Sequence, residues 1–136
     1  MKNSKKSVID IYYNEIYEVY LVVANQYATL EELKDKYTYS DGVELDSNIL
    51  DGSCTTSRCH DKLTNACVIL VKFNHLTKDK SKNKTLDLVN VCSHEATHVA
   101  LDTYELISQN VCFCTPEPFC YLQAWATERI YKTLKK

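Results

Sequence analysis

Two histidines four positions apart, His94 and His98, are the residues of this chain best suited to holding a metal ion. On an α-helix this spacing turns the two imidazoles to within about 40° of each other, so both can reach one ion. Neutral imidazole is a good ligand for Zn²⁺. Glu95 directly follows the first histidine, so its carboxylate lies beside the ion, where it can take a proton from a bound water. The pattern predicts a zinc site that hydrolyses an amide bond, with Glu95 as the general base.

A catalytic zinc site also needs a third protein ligand and one open coordination position. We expect Glu117 to be that ligand, from the first turn of the helix that follows the histidines. The helix dipole alone also favours a glutamate in a first turn. Two other carboxylates stay open as alternatives. Asp102, one turn beyond His98, is better suited to hydrogen-bonding the His98 ring, and Glu128 lies about three turns after Glu117.

Tyr121 stands one helical turn after Glu117 on the same predicted face. Its hydroxyl is a candidate for stabilising the oxyanion that forms when an amide carbonyl is attacked. Packing against neighbouring side chains is the simpler role for this tyrosine. The expected catalytic residues are therefore Glu95, as base, and Tyr121, as an assisting group.

The cysteines are a rival set of metal ligands, with Cys112, Cys114 and Cys120 close in sequence and Cys54 close to Cys59. Their spacings differ from the C-x₂-C pairs of zinc ribbons. There are seven cysteines in all, and the N-terminal segment lacks the apolar core of an export signal. An odd count without such a signal predicts reduced thiols rather than a disulfide framework.

Two helices must position the candidate ligands. From residue 85 to about residue 108 the chain has no Pro or Gly and is apolar almost all round, which predicts a long helix buried on most sides. Thr115 and Pro116 predict the start of a last helix that runs to about Leu134, because Thr suits the N-cap and Pro the first turn. The expected inward face of this helix consists of Phe119, Leu122, Trp125, Ala126 and Ile130.

Three segments rich in β-branched and aromatic residues predict strands at residues 16–23, 54–59 and 66–73. A start of the first strand as early as Val8 stays open, and the last two strands are expected to be joined as a hairpin. Thr29 and Glu32 form a capping box that predicts a short helix from residue 30 to about residue 37. The expected fold is α+β, a small and mostly antiparallel sheet packed on the long helix and the C-terminal helix. Residues 1–7 are expected to be a flexible tail and residues 8–136 a single domain.

Composition excludes several classes of function. A formal net charge of −2 over 136 residues gives no basic surface for nucleic acid or for an anionic membrane. No run of about 18 apolar residues predicts a membrane span. With no export signal evident, we expect a cytoplasmic protein.

The residues around the motif, Ser-His-Glu-Ala-Thr-His-Val-Ala at 93–100 and Thr-Pro-Glu-Pro-Phe-Cys-Tyr-Leu at 115–122, resemble the gluzincin clan of zinc peptidases. The likeness is closest to its very small members, the minigluzincins and compact phage-encoded relatives, and covers about residues 66–131. It implies a minimal zincin-like domain in which His94, His98 and Glu117 hold Zn²⁺ and Glu95 is the base.

Two functional classes follow from these observations. The first is a peptidase that holds an extended peptide or protein substrate along a strand edge, either residues 54–59 or residues 66–73. The second is a metal-binding but non-catalytic interaction module, such as a virion component or a regulator, built on a peptidase scaffold. Glu95 favours the enzyme, because a binding module has no need of a carboxylate at that position. Nothing in the sequence sets the oligomeric state.

Overall fold

The fold is a five-stranded sheet with helices on both faces, as a computed structural model shows for residues 5–76 and 83–136. The strands are β1 (Ile9–Asn14), β2 (Val19–Ala24), β3 (Tyr37–Tyr39), β4 (Cys54–Asp61) and β5 (Cys67–Phe73). Their order in the sheet is β1-β2-β5-β4-β3. β2 and β5 run parallel, and every other pair of neighbours is antiparallel. The helices are α1 (Leu30–Lys34), α2 (Lys84–Leu106) and α3 (Glu117–Leu134). The predicted α+β class, with a mostly antiparallel sheet, is confirmed.

The core on one face of the sheet lies between the strands and the two long helices. Alternate residues of β2 and β5 point into it and meet the apolar stripes of α2 and α3, so that Val19, Leu21, Val23, Ile69, Val71, Leu88, Cys92, Ala96, Val99, Ala126 and Ile130 are all buried. Leu122 joins Ala100 and Tyr104 in an adjoining cluster, with Phe119 and Trp125 packed against it. The predicted inward face of α3 is thus confirmed.

The other face of the sheet is covered by α1 and by a 3₁₀ turn at Ser47–Leu50. The remaining alternate residues of the central strands point this way and pack with Leu33 and Ile49. Tyr37 is buried in the same cluster because it belongs to β3. That role explains why α1 ends at Lys34 and not near Tyr37 as expected. The predicted capping box at its start is confirmed, with Glu32 N donating to Thr29 Oγ1 at 3.2 Å and Thr29 N donating to Glu32 Oε2 at 2.7 Å.

The strand expected at residues 16–23 begins only at Val19, so its predicted start is wrong. The chain forms a hairpin here, with a turn between β1 and β2. Asn14 Oδ1 accepts from the backbone N–H groups of Ile16 and Tyr17 at 3.1 Å, and Glu18 adopts a positive φ of 53°. An asparagine that accepts from the residues after it stabilises a turn, even where the residues in that turn favour a strand.

The two long helices begin close to the expected residues. Asn83 caps α2, and its Oδ1 accepts from Thr85 N at 3.0 Å. Thr115 was expected to cap α3, which is wrong because Pro116 occupies the cap without a side-chain hydrogen bond. No helix in the described residues is long and apolar enough to cross a membrane.

Two segments of the sequence fall outside the described residues. Residues 77–82 belong to the lysine-rich connection that precedes α2, and residues 1–4 are part of the expected flexible tail. The rest of that tail touches the domain. Asn25 Nδ2 donates to the carbonyl of Lys6 at 2.9 Å, and Ser7 Oγ donates to Glu32 Oε2 at 3.0 Å.

Candidate metal site

The two motif histidines converge on one point above the exposed side of α2. His94 Nε2 and His98 Nε2 are 3.2 Å apart, and the ring planes are inclined at 71°. Two nitrogen ligands of a tetrahedral Zn²⁺, each about 2.0–2.1 Å from the ion, lie about 3.3 Å from each other. The observed separation matches that value closely. The His94 side chain is 69% exposed, so the space in front of the two nitrogens is open to solvent.

Glu95 faces the opposite way from solvent, between α2 and the sheet. Its side chain is only 8% exposed, and its Oε1 lies 3.9 Å from His94 Nε2. Its Oε2 accepts a hydrogen bond from Thr56 Oγ1 at 2.5 Å. The carboxylate therefore sits next to the histidine pair with one oxygen fixed by a neighbour and the other turned toward the imidazole.

Thr56 is the residue of the site that the sequence reasoning missed. It belongs to β4, and its hydroxyl bridges the sheet to the helix that carries the histidines. The period-two alternation of a strand places Thr56 on the same face as Cys54 and Arg58. That alternation was available from the sequence, but it does not say which strand lies against α2.

A group of charges lies at the other end of the same contact between β4 and α2. Arg58 Nη1 lies 3.2 Å from Glu105 Oε1, and Arg58 Nε lies 3.9 Å from Asp102 Oδ1. Burial raises the pKa of the Asp102 carboxyl, while Arg58 and His98 act in the opposite direction. Among the hydrogen bonds of the described residues, none joins Asp102 to the His98 ring. Asp102 instead shares the Arg58 guanidinium.

The expected third ligand lies apart from the histidines. Glu117 and Tyr121 are both exposed, Tyr121 at 72%. With Glu128 they share one side of α3, opposite the buried stripe that begins at Leu122. Packing of that stripe thus turns all three to solvent. Across residues 5–76 and 83–136, no three His, Cys, Asp or Glu side chains are arranged to hold one ion.

The three candidate carboxylates differ in the charged partners that they already have. Glu128 is paired with Arg129 at 2.9 Å and with Lys132 at 2.8 Å, and its pKa is lowered chiefly by Lys132. Asp102 faces Arg58. Glu117 forms no hydrogen bond or ion pair with another described residue, so its two oxygens are the ones open to a new ligand.

A cleft and a free strand edge adjoin the histidines. The cleft has a volume of about 400 Å³ and is lined by Ser53, Cys54, Asn90, Val91, His94 and Glu95. In the described sheet, β3 pairs with residues 59–61 of β4, and Ser40 N donates to the carbonyl of Arg58 at 3.0 Å, which leaves residues 54–57 without a strand on their outer side. β5 lies between β2 and β4, so the expectation that residues 66–73 might offer an edge is wrong. A larger cleft of about 520 Å³, lined in part by Tyr17, Tyr104 and Ile107, contains none of the candidate ligands.

Comparison of the chain with protein-family models, with curated proteins and with solved structures gave no match. The resemblance to gluzincins therefore depends on the motif residues themselves.

Proposed function

We propose that the protein is a zinc-dependent peptidase, with His94 and His98 as metal ligands and Glu95 as general base. The observation that carries this proposal is the 3.2 Å separation of the two Nε2 atoms, with a buried carboxylate oxygen 3.9 Å from one of them. In this arrangement the two histidines supply ligands for a cation, and the adjacent glutamate supplies a group that can transfer a proton.

Each residue has a distinct part in this mechanism. Zn²⁺, when bound, polarises the substrate carbonyl and makes water acidic enough to be deprotonated near neutral pH. Thr56 holds Glu95 Oε2, which leaves Glu95 Oε1 as the oxygen that accepts a proton. The same oxygen then delivers that proton to the leaving amine nitrogen. Thr56 is in this sense a positioning residue for the base.

Glu117 is proposed as the third ligand. Its oxygens have no partner among the described residues, whereas Asp102 faces Arg58 and Glu128 is paired with two cations. Taking Glu128 as a ligand would remove the carboxylate that Arg129 and Lys132 share, and taking Asp102 would remove one of the two carboxylates beside Arg58. Tyr121 is proposed to assist from the same face of α3, where its exposed hydroxyl can meet a substrate.

The proposed substrate is an extended peptide that adds as a strand to the free edge of β4. Residues 54–57 have β5 on one side only, and Thr56 of this segment contacts Glu95. A peptide paired with this edge would pass in front of the histidines, with one side chain directed toward the 400 Å³ cleft. Main-chain hydrogen bonds would supply affinity and the cleft would supply side-chain preference.

A metal-binding module without catalysis is the second candidate. The observation that favours it is the exposed position of Glu117 outside the histidine group, since two histidines alone make a weaker and less defined site. Glu95 distinguishes the two candidates, because only the enzyme needs an ionisable carboxylate there.

The test combines metal content with turnover of a mixed peptide library. Wild-type protein is expected to bind about one equivalent of Zn²⁺, and His98→Ala should reduce its affinity by about 1,000-fold. His75→Ala, at an exposed histidine elsewhere, is the matched control and should bind as wild type. Glu95→Gln should keep the metal and lose at least about 100-fold in turnover. Zinc binding with no peptide cleavage by wild type would support the binding module, and unchanged zinc binding in His98→Ala would refute both candidates.

A further inference from the structure

The cysteines differ in access to solvent, from buried through partly buried to exposed. All seven are free thiols. Cys59 and Cys92 are buried, and burial raises the pKa of their thiols to about 12 and about 11. Such thiols stay protonated and are poor nucleophiles. Cys112, Cys114 and Cys120 are exposed, and they lie in or near the connection between α2 and α3.

A tight turn brings the first two exposed cysteines together. Thr115 N donates to the carbonyl of Cys112 at 3.2 Å, which closes a β-turn from Cys112 to Thr115. Inside this turn, Cys114 N donates to Cys112 Sγ at 3.3 Å. The Cα atoms of the first and third residues of such a turn are separated by about 5–6 Å, within the range of about 4.4–6.8 Å that a disulfide spans.

The turn also favours the thiolate form of Cys112. The backbone N–H of Cys114 is the largest cause that lowers the pKa of Cys112, followed by the Cys114 thiol and by the backbone and hydroxyl of Thr115. Donors aimed at one sulfur stabilise its anion, and the thiolate is the form that attacks disulfides. Cys112 and Cys114 are themselves exposed, as is Phe113 between them, so both thiols are accessible from solvent.

We propose that Cys112 and Cys114 form a dithiol that exchanges with low-molecular-weight disulfides such as glutathione disulfide. The Cys112 thiolate attacks one sulfur of the small disulfide, which forms a mixed disulfide and releases one small thiolate that takes a proton from water. Cys114 then loses its proton to water and attacks Cys112 Sγ, which closes the Cys112–Cys114 bond and releases the second small thiolate, which takes a proton from water. The protein dithiol is oxidised by two electrons, and the small disulfide is reduced to two thiols.

This inference does not depend on the proposed zinc peptidase, because neither thiol belongs to that site. The test uses the full chain, treated with a chelator so that no metal masks a thiol. The protein is incubated with glutathione disulfide at neutral pH and analysed by intact mass and fragment mass. Wild type should lose two hydrogens with no adduct retained on Cys112 or Cys114, and the new bond should map to these two cysteines.

Three single variants separate the role of Cys112 as attacking thiol from that of Cys114 as resolving thiol. Cys114→Ser should accumulate one glutathione adduct on Cys112, because the resolving thiol is missing. Cys112→Ser should react at least about fivefold more slowly than wild type. Cys120→Ser, at an exposed cysteine outside the turn, should behave as wild type. The proposal is overturned if the wild type keeps separate adducts on both cysteines, or if Cys120→Ser prevents the internal bond.

Discussion

Where α2 lies against β4, the reactive side chains have fixed partners, and where α2 leads into α3 they do not. In the first region Glu95 is buried and bonded to Thr56, and the two histidine nitrogens converge. In the second region the side chains of Glu117 and Tyr121 are exposed and have no hydrogen-bond or ion-pair partner among the described residues. Packing thus preorganises the histidines and Glu95, and on the proposal that Glu117 is the third ligand a bound metal ion would order the rest of the centre.

The cysteines repeat this contrast. Burial raises the pKa of the thiols that lie in the sheet and under α2, whereas backbone donors lower the pKa of Cys112 in the α2–α3 connection. A buried thiol stays protonated, whereas donors in an exposed turn stabilise a thiolate. For the cysteines, burial therefore suppresses ionisation, while the exposed turn keeps a thiol accessible to solvent.

Of the effects that test this comparison, the largest is expected at Glu117, in the exposed part of the centre. Glu117→Gln keeps the shape of the side chain and removes its charge, so the zinc dissociation constant should rise by at least about 100-fold. Titration of the chelator-treated protein with Zn²⁺ measures this change. Glu128→Gln makes the same substitution on the same face of α3 and should bind within about twofold of wild type. A loss of affinity in Glu128→Gln with none in Glu117→Gln would assign the ligand to Glu128.

The next largest effect is expected at Thr56, in the buried part of the centre that holds Glu95. Thr56→Val removes the hydroxyl that bonds Glu95 Oε2 while nearly preserving shape. A hydrogen bond to a charged group contributes about 1.5–3 kcal/mol, so kcat on the library peptides should fall by about tenfold or more with KM little changed. Thr56→Ser keeps the hydroxyl and should restore most of the rate. Equal losses in the two variants would show that the bond does not position the base.

The sequence predicted correctly those elements whose conformation depends only on residues within the element itself. The periodicity of α2 and α3 and the capping box at Thr29 and Glu32 needed no information from the rest of the chain. The hairpin turn before β2 was missed because Ile16 and Tyr17 favour a strand. There the side chain of Asn14, which accepts from both backbone N–H groups, decides the conformation.

The candidate site divides in the same way. The convergence of His94 and His98 follows from helical geometry within five residues. Thr56 and Glu95 are 39 positions apart, and their bond depends on which strand packs against α2. The rotation of α3, which sets where Glu117 points, depends on how the stripe at Leu122 packs on α2. The Thr56–Glu95 hydrogen bond and the rotation of α3 both depend on tertiary packing, which the spacing of residues along the chain does not reveal.

The smallest expected effect tests the buried thiols. Burial raises the pKa of Cys59 to about 12, while an unfolded cysteine titrates near about 8.5. As pH rises past the unfolded value, the unfolded chain releases this proton and the folded chain does not, so stability falls. At pH 9 the loss relative to pH 7 is about 0.8 kcal/mol for this one thiol. Denaturant unfolding at both pH values should show a decline smaller by that amount in Cys59→Ala, and an unchanged decline in Cys120→Ala, where the thiol is exposed. An equal decline in wild type and Cys59→Ala would mean that the Cys59 thiol ionises as readily in the folded protein as in the unfolded chain.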